Sequence, residues 1–116
     1  MKFAPVDELG RIVVVTVGFA LWKGGRCIAA ARWADIRRLR AHRVGGETDA
    51  IRLLVDLADG MVLEFHEQAP GFDAFLDRAS ATLPGLLSWA AWHPALMLAS
   101  PDREGTVIFE RPAPRR

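Results

Sequence analysis

Six consecutive residues, Ile12-Val13-Val14-Val15-Thr16-Val17, are β-branched. Branching at Cβ restricts χ1 against the preceding turn of a helix and packs well on a pleated surface. The apolar run continues through Phe19 and Leu21, so one long buried strand is expected. Lys23-Gly24-Gly25-Arg26 follows, and two adjacent glycines supply the positive φ angles of a tight hairpin turn. Cys27, Ile28 and the alanines after them then return as a second strand. The uninterrupted stretch from Ile12 to Trp22 is eleven residues long, whereas a membrane-spanning helix needs about twenty. No bilayer span is expected.

A second β region lies further along. Ile51, Leu53 and Val55 alternate with Arg52, Leu54 and Asp56, the period of a half-buried strand. Asp59-Gly60 is a hairpin turn signal, and Met61, Leu63 and Phe65 alternate with Val62, Glu64 and His66 in the returning strand. Between the two regions, Arg32 to Val44 fits two periods. Trp33, Ile36, Leu39 and Arg43 have helical spacing, while Leu39, Ala41 and Arg43 alternate with Arg38, Arg40 and His42. Gly45-Gly46 would end either element.

Pro70-Gly71 closes the β region, and Phe72, Phe75, Leu76, Ala79 and Leu83 then mark the apolar stripe of an amphipathic helix. Asp73 and Asp77 sit towards its N-terminal end, where carboxylates complement the helix dipole, and Pro84-Gly85 stops it. A short helical turn is expected over 86–92, broken by His93-Pro94. The turn Pro101-Asp102-Arg103-Glu104-Gly105 precedes a last strand, Thr106 to Glu110, and 113–116 forms a frayed tail. The pattern predicts one α+β domain over 1–116 with its core at about 10–112. It is an antiparallel β-meander of about five or six strands packed by one main C-terminal helix, with a short helix and a final edge strand.

At 116 residues the chain has room for a single core. With 51% apolar and 25% charged residues it falls among globular rather than disordered proteins. Its 15 basic and 14 acidic side chains leave a formal charge of +1, which argues against obligate polyanion binding. One cysteine, Cys27, forms neither an internal disulfide nor a thiolate zinc site. Asp7 and Glu8 spoil a secretory signal, and Lys23 and Arg26 separate the apolar run from Ala29-Ala30-Ala31. A cytoplasmic location is expected.

The succession Trp33-x-Asp35-Ile36, Asp49-x-Ile51-x-Leu53, Asp59-Gly60, Glu67-x-x-Pro70-Gly71-Phe72, Leu83-Pro84-Gly85, Pro94-Ala95 and Phe109-Glu110-Arg111-Pro112 resembles a family of small uncharacterised bacterial proteins. The likeness covers about 10–112. Strands followed by a helix are also similar to the pleckstrin-homology-like superfold, which implies binding of peptides, lipids or proteins more than catalysis. The resemblance implies an immunity-type or adaptor role and favours a strand for Ile36 to Arg43. Ala95-Leu96-Met97 stands where the family pattern has an aromatic after Pro94.

No pattern of residues points to a catalytic, cofactor or metal site. Cys27 lies in a strand that reads as core, so packing is favoured over nucleophilic chemistry with His42, His66 or His93. The histidines lack a metal-ligand spacing, and Glu64 with His66 reads as one polar side of a strand. Asp56, Asp59, Glu64 and Glu67 read as turn and surface residues. No phosphate-binding glycine loop is present.

Arg32, Arg37, Arg38, Arg40 and Arg43 place five arginines in twelve residues. They form a solvated face paired to Glu47, Asp49 or Asp56, a surface for an acidic protein, or a phosphate-binding strand. Trp89 and Trp92, three residues apart, share a face and serve either core packing or a partner; the same choice applies to Trp33. The expected function is a non-enzymatic protein-interaction module whose candidate partner-binding residues are Trp33, Arg37, Arg38, Arg40, Trp89 and Trp92. The alternative is a small nucleic-acid-binding domain using Arg32–Arg43. The expected partner is a protein, and exposed edge strands leave a homodimer open.

Overall fold

A computed structural model describes residues 10–43, 50–99 and 105–112. The expected turn at Gly45-Gly46, the carboxylates Glu47 and Asp49, most of the 101–105 turn and the 113–116 tail lie outside the described residues. The architecture is α+β: among the described residues, seven antiparallel strands form two sheets, accompanied by two helices. Strands β1 (Arg11–Val14), β2 (Gly18–Lys23) and β3 (Arg26–Arg32) form a three-stranded sheet in that order. Strands β4 (Ile36–Arg43), β5 (Ile51–Leu57), β6 (Val62–His66) and β7 (Thr106–Glu110) form a second sheet in the order β6-β5-β4-β7. Helices α1 (Phe72–Thr82) and α2 (Trp89–Leu98) fall between β6 and β7.

The long first strand expected from the β-branched run is two strands. Val15 N–H donates to the Gly18 carbonyl at 2.9 Å and turns the chain back on itself. Gly18 is where this becomes feasible: a Cβ there would lie 2.1 Å from the Ala31 carbonyl oxygen of β3, so only a glycine brings β2 that close. Branched residues favour extended backbone without specifying where it reverses, which is why one strand was expected and two strands result.

Between Arg32 and Arg43 the helical alternative is limited to one 3-10 turn, Trp33–Asp35, and strand β4 follows. β4 and β5 run antiparallel, with Leu39 opposite Val55 and Ala41 opposite Leu53. Ile51, Leu53, Val55, Leu63 and Phe65 are buried, matching the alternation in sequence. α1 contributes buried Phe72, Phe75 and Ala79. Its entry depends on Gly71, whose φ is +91° and whose Cβ position would be 1.9 Å from the Ile12 carbonyl oxygen. The neighbouring Pro70 carbonyl accepts from Ile12 N–H at 2.8 Å, tying β1 to the helix entry.

The core joins both sheets and α1 through aromatic rings. Phe75 stands edge-on to Phe19 at 5.1 Å and to Phe65 at 5.0 Å, and tilted to Trp33 at 5.3 Å. Edge-to-face contacts of this kind add to the area burial of each ring. The short helix is longer than expected: α2 runs ten residues and contains Pro94 instead of ending before it. Ser88 caps it by accepting from Ala91 N–H, and buried Trp92 and Leu96, four residues apart, hold both sides of the proline. That burial offsets the backbone bond Pro94 is unable to donate.

Candidate interaction surfaces

The arginines of β4 reach the outer face of the four-stranded sheet in an unequal way. A register shift between Ile36 and Arg38 places Arg37 out of the ladder, and its side chain is exposed. Beyond the shift, Arg38 pairs with Asp56 across the strands. Arg38 Nε donates to Asp56 Oδ2 at 2.9 Å. Arg40 uses a fork, Nε to Oδ2 at 2.8 Å and Nη2 to Oδ1 at 2.7 Å. Burial pushes the Asp56 carboxyl up, but the hydrogen bonds and charges of Arg40 and Arg38 outweigh it and hold the group below its ordinary value. One carboxylate therefore neutralises part of the charge of the cluster. Of the acids expected to pair with it, Asp56 does so, from the strand position its alternation gave it.

Arg43 donates through Nη1 to the Met97 carbonyl and joins β4 to α2. Arg37, Arg38, Arg40, Asp56, Val62 and Glu110 line a shallow groove of about 490 Å³. On the same face Glu64 accepts from Arg52 at 3.1 Å and lies 3.7 Å from His42 Nε2. His66 Nδ1 accepts from the Gln68 amide at 3.0 Å. Burial, together with the charge of Arg52, lowers the His66 pKa against the pull of Glu67 and Glu64. Asp59 accepts from Met61 N–H at 2.9 Å, a turn role, and Glu67 accepts from Ile51 N–H at 2.9 Å.

The three candidate tryptophans do not share a surface. Trp33 is 4% exposed, packed among the core rings, and its indole N–H donates to the Thr16 carbonyl at 3.1 Å. Trp92 is also 4% exposed. Both are corrected from partner-binding candidates to core residues, because each ring has a sheet to pack against. Trp89 stays half-exposed and stacks on His93 with centroids 4.1 Å apart.

Cys27 reverses the other way. It was expected in the core and is exposed, its thiol donating only to the Ala29 carbonyl at 3.6 Å. The cause is its place at the hairpin end of β3, where Arg26, Cys27 and Ile28 are all exposed, while Ala29 and Ala31 further along pack on the core.

The same arrangement exposes a surface that residue patterning missed. Val13 of β1, Trp22 of β2, Ile28 of β3, and Val15 and Val17 of the β1–β2 turn are all exposed, Val17 at 68%. Val13, Val15, Val17, Ala20 and Ala30 line a groove of about 420 Å³. Alternation is absent from this region, so its apolar run reads as buried on both sides; α1 packs on β1 and α2 on β4, and the outer face of the three-stranded sheet stays exposed. A usable signal was present in the charges. From Gly10 to Ala34 there are four cations, Arg11, Lys23, Arg26 and Arg32, and no carboxylate.

Among the described residues, no helix is long and apolar enough to cross a membrane. No family model, curated protein or solved structure matches the chain.

Proposed function

We propose that the chain is a non-enzymatic protein-interaction module that docks its partner on the outer face of the three-stranded sheet. The observation that carries this is the set Val13, Val15, Val17, Trp22 and Ile28, exposed on the three-stranded sheet and its β1–β2 turn. Contiguous apolar surface of this kind on a small domain marks an interaction site. The four cations and missing carboxylates of Gly10 to Ala34 specify the partner's chemistry: an apolar protein surface rimmed by Asp and Glu. The adaptor or immunity-type role, the pleckstrin-homology-like relationship and a cytoplasmic location belong to the same proposal. Arg37 and the exposed part of Arg38 lie on the other sheet. They are the surface an alternative nucleic-acid partner would use, and the Asp56 pairing supports the protein reading over that one.

Affinity capture from the source cell's lysate, with and without nuclease, tests the proposal when run on three forms of the chain. Wild type and Arg37→Glu/Arg40→Glu should retain the same nuclease-resistant protein, and Val17→Asp/Ile28→Asp should lose it. Capture that nuclease abolishes, retention on anionic vesicles alone, or loss confined to the arginine variant would contradict it.

A further inference from the structure

Among the described residues β3 is an edge strand of its sheet, and the hydrogen-bond phase of the ladder shows which of its groups face outward. Trp33 N–H donates to the Val17 carbonyl at 3.1 Å, and the register continues Gly18 opposite Arg32, Phe19 opposite Ala31, Ala20 opposite Ala30 and Leu21 opposite Ala29. In an antiparallel ladder, pairs that exchange hydrogen bonds alternate with pairs that do not. Ala31 and Ala29 therefore bond to β2, while Ala30 and Arg32 turn their amides and carbonyls away from it. The Arg32 amide bears this out by donating to Asp35 Oδ2 at 3.2 Å. Ala30 is exposed, and its outward N–H and C=O form a template for another strand.

The charges along this edge are polarised. At the Gly24-Gly25 end stands Arg26. At the other end a trough of about 230 Å³ runs beside the edge, lined by Ala30, Ala31, Asp35, Leu57, Ala58 and Asp59, with two carboxylates in its wall. An occupant that runs antiparallel to β3 and is cationic at one end would satisfy both features, and β3 itself is such a strand.

We propose that two copies of this chain pair antiparallel through β3 about a two-fold axis at Ala30, forming one continuous six-stranded sheet. The outward amide and carbonyl of Ala30 then bond to their equivalents in the second copy. Ile28 faces Arg32 of the second copy, and Arg26 of each copy enters the acidic trough of Asp35 and Asp59 of the other. Charge fixes the register. Pairing centred on Ala29 would set Arg26 opposite Arg32 across the axis, and directly opposed like charges destabilise a sheet pair. The axis at Ala30 replaces that repulsion with two equivalent attractions, as a closed two-fold interface requires. The outer apolar faces of the two copies then lie side by side, so this proposal extends the docking reading without resting on it.

Sedimentation equilibrium of the full chain tests it. A dimer that dissociates on dilution is expected, with a Kd raised at least about tenfold by Arg26→Glu and by high salt. Ala30→Pro, which removes an outward N–H the fold does not use, should leave thermal unfolding nearly unchanged and abolish the dimer. In a Cys27→Ser background, mild oxidation should cross-link Ala30→Cys and not Ile28→Cys. A monomer at all concentrations, a Kd unmoved by Arg26→Glu, or cross-linking through Ile28→Cys would overturn the proposal. These readouts need no second protein, so they fail or succeed independently of partner capture.

Discussion

Phe75 ties α1 to both sheets, because it touches Phe19 of one sheet, Phe65 of the other and Trp33 between them. Truncating a fully buried phenylalanine removes its transfer free energy and leaves a cavity, so Phe75→Ala should cost about 3–5 kcal/mol. Urea unfolding checks this, and Phe75→Leu, which keeps most of the volume, should cost much less. Glycines divide by what lies beside them. Gly71→Ala meets both a φ of +91° and the Ile12 carbonyl, whereas Gly85, at φ +82°, has open space around its Cβ position. Gly71→Ala should therefore lower the melting temperature far more than Gly85→Ala. Two titrations add pH dependence. The folded His66 pKa lies below its ordinary 6.5, so unfolding takes up a proton in the window between the two values. Stability from this source is present above 6.5 and is lost as pH falls through the folded value. The Asp56 pKa is likewise lowered, from 3.8, so its contribution is kept above that pH and lost as pH falls further through the folded value. Urea midpoints from pH 8 to pH 3 should accordingly show His66→Gln with a flatter slope just below 6.5, and Asp56→Asn closing its gap to wild type only in strong acid.

At the scale of elements, the sequence patterns that worked are those in which one face is wet and the other dry. β5, β6 and α1 were legible because Ile51, Leu53, Val55, Leu63, Phe65, Phe72, Phe75 and Ala79 follow a clear period and the core has room for all of them. Patterning failed where both faces carry apolar residues. In Ile12 to Leu21 only Thr16 and Gly18 interrupt the apolar run at the reversal, and in α2 the largely apolar sequence hides that only Trp92 and Leu96 are buried. The candidate site was legible in part for the same reason: arginine clustering locates Arg38 and Arg40, but their common partner Asp56 depends on register. The edge strand offers a test by parity. Ala31 N–H belongs to the β2 ladder and Ala30 N–H does not, so Ala31→Pro should destabilise the domain by at least about 1 kcal/mol while Ala30→Pro stays close to wild type. Chemical denaturation of the two variants side by side is sufficient.

For the whole molecule, a net charge of +1 conceals an uneven distribution. One sheet carries cations with no carboxylate between Gly10 and Ala34, and the other pairs its arginines with Asp56 and Glu64. The first sheet also holds the exposed valines, Trp22 and Ile28. Surface charge and exposed apolar area thus coincide on the element the aromatic core needs least from outside, and binding there leaves that core undisturbed. Because rim charges act mainly on encounter, association with an acidic partner should slow as salt rises while dissociation changes little; stopped-flow or surface-based kinetics would show the split. The most direct measurement of the docking claim is amide hydrogen exchange on the chain alone and in its captured complex. Slowed exchange concentrated in Val13 to Arg32 is the expected result, and slowing confined to Arg37 to Arg43 or to Trp89 to Leu98, with β1 to β3 unchanged, would contradict it.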